Sequence, residues 1–244
     1  MKRLEVNGLY SGYEKVEVLK DVSIEINSGE IVGLIGSNGA GKTTLLKTIL
    51  GIIPPTEGKL IVEGVEIDQD WNQAKGKIAY IPEMPLLYEE LTLLEHLEFT
   101  AMANGVDKNV FEKRISRLLD TFNMRDKLHH FPNSFSKGMR QKVMVMCGLL
   151  YDPTLFVVDE PFIGLDPKSI KALVNILKEK RTQGLGILMS THVLDAAERI
   201  CDRFIVLSGG RVLYQGTLEE MRRDSKMYEA DLMDLFDYFV EEVV

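Results

Sequence analysis

Between positions 31 and 50 the chain reads Ile31-Val-Gly-Leu-Ile35, then Gly36-Ser37-Asn38-Gly39-Ala40-Gly41-Lys42-Thr43, then Thr44-Leu-Leu-Lys-Thr-Ile-Leu50. The apolar pentamer predicts a buried strand. The last stretch predicts a helix that stops near Gly51 and Pro54-Pro55. The string between them fits Gly-x-x-x-x-Gly-Lys-Ser/Thr in full. Its glycines let the backbone wrap tightly, so that N–H groups converge on phosphate oxygens. A helix starting at Gly41 aims its positive end at the same anion. The cradle is expected to run through Ser37, Asn38, Gly39, Ala40, Gly41, Lys42, Thr43 and Thr44. Lys42 is expected to reach the β and γ phosphates, and the Thr43 hydroxyl to ligate Mg²⁺.

Strand text surrounds this loop. Leu4, Val6 and Leu9, then Val22, Ile24 and Ile26, alternate as in two strands with one solvated face. Gly58 to Gly64 reads as a further strand. From about 85 to 152 the period becomes helical. Thr92 and Glu95 form a capping-box pair ahead of Leu94, Leu97 and Ala101. Phe111, Ile115, Leu118, Leu119 and Phe122 make a second core stripe. Strands resume at Leu155–Val158, Gly186–Ser190 and Phe204–Leu207, with a helix from Lys168 to Gly184 and a hairpin at Ser208–Arg211. This predicts an α/β nucleotide-binding core carrying a helical insert. The 37 acids against 29 bases, net −8, disfavour nucleic acid as a partner. No apolar run reaches the ~18 residues of a membrane span, and the start lacks the apolar stretch of a signal peptide. Cys147 and Cys201, each in an apolar helical context, read as reduced core residues of a cytosolic protein.

Asp159 and Glu160 close the Leu155–Val158 strand, 117 positions beyond Lys42. Carboxylates at the C-terminal end of a buried strand suit a metal site there. Asp159 is expected to hold Mg²⁺ through its water shell, and Glu160 to polarise the attacking water.

Ser134-Phe135-Ser136-Lys137-Gly138-Met139-Arg140-Gln141 resembles the signature segment of ABC ATPases, usually written LSGGQ. Only its Ser and second Gly positions are kept. The resemblance implies that Ser136, Gly138 and Met139 open a helix and contact the γ-phosphate held by a second copy. Phe162-Ile-Gly-Leu-Asp166 follows the acidic pair as the family's D-loop does, and His192 follows its strand as the switch histidine does. Tyr13 stands where these proteins stack a ring on adenine, with Tyr10 competing for the role. Glu83, in Tyr80-Ile-Pro-Glu83, occupies a position where most relatives have Gln; a carboxylate there can still ligate Mg²⁺. The run from Ile81 to Ala103 resembles the Ecs-type ATPase subunits of Gram-positive bacteria.

The resemblance, over residues ~3 to 220, implies an α/β P-loop architecture with an antiparallel β subdomain and an inserted helical subdomain of about 85–152. Residues 1–220 form the ATPase domain and 221–244 a C-terminal helical extension. It further implies an ATP- and Mg²⁺-dependent ATPase, with Glu160, His192 and Lys42 catalytic and ATP sandwiched between two copies. A separate integral-membrane subunit would hold the chain at the inner face of the cell membrane, docked beside Glu83 and the 85–103 segment. Competing readings are a soluble ABC ATPase of iron–sulfur assembly type, a non-hydrolysing nucleotide-binding regulator and a P-loop kinase. In the tail, Leu232, Leu235, Phe236, Phe239, Val240 and Val243 recur at helical spacing. That face either packs on its own subunit or docks on the membrane partner or second copy.

Overall fold

The computed structural model describes residues 1–14 and 16–241; Val243 of the tail stripe lies outside them. The chain opens with a long antiparallel pair, β1 (Lys2–Tyr13) and β2 (Val16–Asn27). Leu4 pairs with Ile26, Val6 with Ile24 and Leu9 with Val22, so the alternating apolar residues share one buried face. After β3 (Ile31–Ile35) and α1 (Lys42–Ile49) come β4 (Pro55–Val62) and β5 (Val65–Glu66). These complete a four-stranded antiparallel sheet ordered β2-β1-β4-β5.

A short helix, α2 (Trp71–Lys75), leads to β6 (Ile78–Ile81) and then to three helices: α3 (Leu93–Ala103), α4 (Lys108–Phe122) and α5 (Lys137–Leu149). Thr92 caps α3 with the reciprocal Glu95 bond that the sequence predicts. The buried side of α3 differs from the predicted stripe. Leu93 and His96 join Leu97 and Ala101 inside, whereas Leu94 is only partly covered. His96 is fully used there: Nε2 accepts from the Tyr88 N–H at 2.9 Å and Nδ1 donates to the Thr92 carbonyl at 2.8 Å. These bonds fasten the segment before α3 to the helix.

The second half alternates β7 (Leu155–Asp159), α6 (Pro167–Thr182), β8 (Gly186–Ser190), α7 (Leu194–Ile200) and β9 (Arg203–Ser208). β10 (Arg211–Gly216), α8 (Leu218–Ser225) and α9 (Leu232–Glu241) follow. The six-stranded sheet is ordered β10-β9-β3-β8-β7-β6, parallel except for the β9–β10 hairpin. Both faces of its central strands are covered, which explains their unbroken apolar runs. Phe156 and Val158 face the helices of residues 93–182, while Leu155 and Val157 face α1 and the antiparallel sheet. Arg3 clamps the two sheets: its guanidinium meets Glu63 at 2.5 Å and donates to the Gly184 carbonyl at 2.9 Å.

Cys147 lies within α5, but Cys201 stands just past α7 on extended backbone rather than in a helix. Both thiols are free, and burial pushes the Cys147 thiol up to about 11.

A third core cluster holds the tail. Leu232, Leu235 and Phe239 of α9 are buried with Leu194, Ala197, Phe204, Val206 and Met221. Tyr214 and Phe239 stack with ring centroids 4.2 Å apart. The inward side of the tail helix therefore packs on its own subunit. Leu235→Ala should cost about 2–5 kcal/mol, the usual result of emptying a closed leucine site, read as a lowered urea midpoint with unchanged slope.

Candidate active site

β3, β7 and β8 run parallel, so their C-terminal ends open on one edge of the sheet, where α/β folds bind ligands. The Ser37–Thr44 loop leaves β3 there and enters α1. Gly36 is required at the first bend, because a Cβ would lie 2.4 Å from the Leu207 carbonyl oxygen. The Lys42 ammonium folds over its own loop, donating to the carbonyls of Gly36 at 2.5 Å and Ser37 at 3.1 Å. Burial pushes its pKa down, against the carboxylates of Glu160, Asp159 and Glu83. Thr43 points to solvent at the start of α1, whereas Thr44 is buried.

Asp159 ends β7 directly opposite Ser190 of β8, and the Ser190 hydroxyl donates to its carboxylate. Burial first, and then the neighbouring Glu83 and Glu160 carboxylates, hold the Asp159 pKa above the usual range; the serine and Lys42 oppose them. The Glu160 N–H donates to the Ser190 carbonyl at 3.0 Å. Glu160 also adopts φ +48°, a left-handed conformation that costs a non-glycine residue about 1–3 kcal/mol. This turn brings its buried carboxylate to 2.8 Å from His192 Nδ1. An acid held against an imidazole, beside a cationic loop, can orient a water and take its proton.

These groups share one cavity of about 760 Å³. It is lined by Gly36 to Thr44, Glu83, Asp159, Glu160 and His192. Among the described residues no three His, Cys, Asp or Glu side chains form a self-sufficient cation cage. The Thr43 hydroxyl and the Asp159 and Glu83 carboxylates are nevertheless hard oxygen donors. They fit a Mg²⁺ that takes its other ligands from phosphate and water.

The remaining candidates lie outside that cavity. Ser136 caps α5, its hydroxyl oxygen accepting from the Met139 N–H at 3.3 Å. Gly138 abuts the loop after Glu160, and a Cβ there would meet the Gly164 carbonyl oxygen at 2.2 Å. Asp166 caps α6, accepting from the Ser169 N–H at 2.9 Å, and pairs with Lys142 of α5 at 2.7 Å. These contacts, led by the Lys142 hydrogen bond, hold the Asp166 carboxyl well below the usual carboxylate range. Tyr13 is about half exposed at the end of β1, with the Lys47 ammonium 5.8 Å from its ring centroid; Tyr10 is half-buried.

Sequence patterns miss several contributors to the site. Ser190 is legible in principle as a hydroxyl ending an apolar strand. Lys142 sits one helical turn past the signature segment. Val18, Thr191 and Leu194 also line the cavity, as do Met233 and Phe236 from the distant tail helix; no local motif marks them.

Comparison with known proteins agrees with this geometry. Residues 19–163 match the ABC transporter family. The chain is 48% identical to the ABC-type transporter ATP-binding protein EcsA of Bacillus subtilis over 97% of its own length and 96% of the relative's. A solved ATP-binding subunit of an ABC transporter superposes with a TM-score of 0.94 at 45% identity, covering 97% of this chain and 99% of that one. The dimeric post-hydrolysis cassette MJ0796, bound to ADP and Pi, superposes at 0.80 with 25% identity, covering 88% and 98%. The fold, the phosphate cradle and these likenesses agree: the chain belongs to the ABC transporter ATP-binding family, a family of ATPases.

Proposed function

We propose that the chain binds and hydrolyses ATP to energise a separate membrane subunit, working as an ATP-driven pair of identical copies. The observation that carries this reading is the division of the candidate residues. The cradle, Glu83, Asp159, Glu160 and His192 gather around one cavity, while Ser136, Gly138 and Met139 form a separate helix start in the same chain. A second copy can bring its own helix start, with the positive end of α5 facing the γ-phosphate. The related MJ0796 cassette is dimeric, which supports a paired assembly.

In the proposed site the Lys42 ammonium exchanges its loop carbonyls for phosphate oxygens. Glu160 accepts a proton from water aligned with the γ-phosphorus. His192, held by Glu160, stabilises charge developing on the transferred group. Asp159, Thr43 and Glu83 would hold Mg²⁺, which supplies neutralising charge to the phosphates. Asp166 stiffens the loop beyond Glu160, and Tyr13 offers a ring face for adenine.

No helix among the described residues is long and apolar enough to cross a membrane. The proposed docking surface for the membrane subunit is the segment beside Glu83. Met84 and Leu86 are 71% and 80% exposed there; Tyr88, Phe99 and Met102 of the same segment are exposed too, and the Tyr88 and Phe99 rings meet edge to face. Several large apolar side chains exposed within one short segment suit a protein contact. That contact would hold the chain peripherally at the inner membrane face.

Two experiments test the site. Glu160→Gln keeps the shape of the side chain but cannot take the water's proton. It should retain ATP binding and lose about 10²–10⁴-fold in steady turnover; near wild-type turnover would exclude Glu160 as the base. Glu83→Gln removes one negative charge beside Asp159 and should remain active. Glu83→Ala should lose Mg²⁺-dependent turnover, and equal activity across a Mg²⁺ titration would leave Glu83 without a role.

A further inference from the structure

The tail helix is the part of the cavity wall that phosphate chemistry does not explain. α9 is held from behind by several contacts. Leu232, Leu235 and Phe239 are buried in the third cluster. The Leu232 N–H donates to Glu198 of α7 at 2.9 Å. Arg222 of α8 donates to the Ala230 carbonyl at 2.8 Å, just ahead of the helix. Held this way, the helix turns Met233 and Phe236 into the cavity that also contains the phosphate cradle, Glu160 and His192. Phe236 is half-buried and Met233 is 49% exposed. A thioether and a phenyl ring offer a triphosphate nothing. The same helix carries Asp234, Asp237 and Glu241 and no base, so it repels an anionic nucleotide or lipid surface.

We propose that Met233 and Phe236 form an apolar extension of the ATP-dependent interface, covered by a second copy of this chain when the two sites close. This rests on the paired-copy reading above. Two features of the structure select that occupant. First, the patch is continuous with the cavity that a second copy must cover to complete the site. The exposed residues offered to the membrane subunit, Met84 and Leu86, line no part of that cavity. Second, charge is complementary. The approaching helix start carries Lys137, exposed and without an ion pair among the described residues. An acidic helix flanking an apolar patch suits a base-bearing protein surface. Closing the interface would desolvate Met233 and Phe236 together with the phosphate site. The tail would then contribute affinity only in the closed pair.

The test uses the full chain carrying Glu160→Gln, so that ATP is bound and not consumed. Met233→Ser and Phe236→Ser are added separately. Thermal unfolding checks the fold, nucleotide affinity is measured at protein concentrations where the chain is monomeric, and sedimentation equilibrium with ATP gives the dimer dissociation constant. Each variant should raise that constant at least about tenfold, as expected for losing a central apolar anchor, beyond any loss of monomer nucleotide affinity. Because Phe236 also packs inward, Met233→Ser decides the question if Phe236→Ser unfolds. A constant equal to the parent's in folded protein overturns the proposal. So does a rise wholly accounted for by weaker nucleotide binding, or lost capture of the membrane subunit at an unchanged constant. A Glu160→Gln parent that stays monomeric with ATP overturns the paired-copy reading itself, a distinct result.

Discussion

The contact on which the site depends is the pairing of β7 with β8 at their last residues. Asp159 lies opposite Ser190, whose hydroxyl bonds the Asp159 carboxylate and whose carbonyl accepts the Glu160 N–H. Those two bonds sit where the strand ends and Glu160 takes its left-handed turn. The turn in turn carries the Glu160 carboxylate to His192, two residues beyond Ser190. One serine therefore bonds both acidic residues, and the second of them holds the imidazole. A slip of one residue in this register would turn Asp159 toward the opposite face of the sheet. The two apolar cores on either side of the sheet oppose such a slip, since Phe156 and Val158 would have to change places with Leu155 and Val157.

Around that frame the charges are arranged for an anion that arrives later. Three carboxylates, Glu83, Asp159 and Glu160, share a cavity with the Lys42 ammonium, whose hydrogen bonds go to its own loop. The raised pKa of Asp159 and the lowered pKa of Lys42 both report burial that a bound metal phosphate would offset. Glu83 enlarges the imbalance of charge by placing one more carboxylate in the same cavity.

Much of this arrangement is legible in the order of the amino acids. The cradle from Gly36 to Thr43 is a local feature, because glycines, lysine and helix start are adjacent in the chain. Strands at 31–35, 155–159 and 186–190 are readable because burial on both faces leaves unbroken apolar runs. The capping box at Thr92 is readable because its two partners are three residues apart. What escapes depends on distance along the chain. The tail helix is visible as an apolar stripe, but nothing in its spacing can say that Met233 and Phe236 reach a loop almost two hundred residues earlier. The buried side of α3 takes in Leu93 and His96 rather than Leu94; a polar His96, satisfied by backbone groups at both nitrogens, gives an apolar stripe no signal. β5 and α2 are too short to carry a period.

The close approach of Gly138 to Gly164 has a consequence for how two sites would behave together. The start of α5 and the loop after Glu160 are in backbone contact, and Lys142 pins the same helix to Asp166. In a paired assembly the start of α5 would answer to the neighbour's nucleotide, while Glu160, only four residues before Gly164, answers to its own. Each chain would then act as a short lever between the two nucleotides. The state of one phosphate would be felt as a displacement at the other, so the two sites would fire in relation to each other rather than as independent clocks.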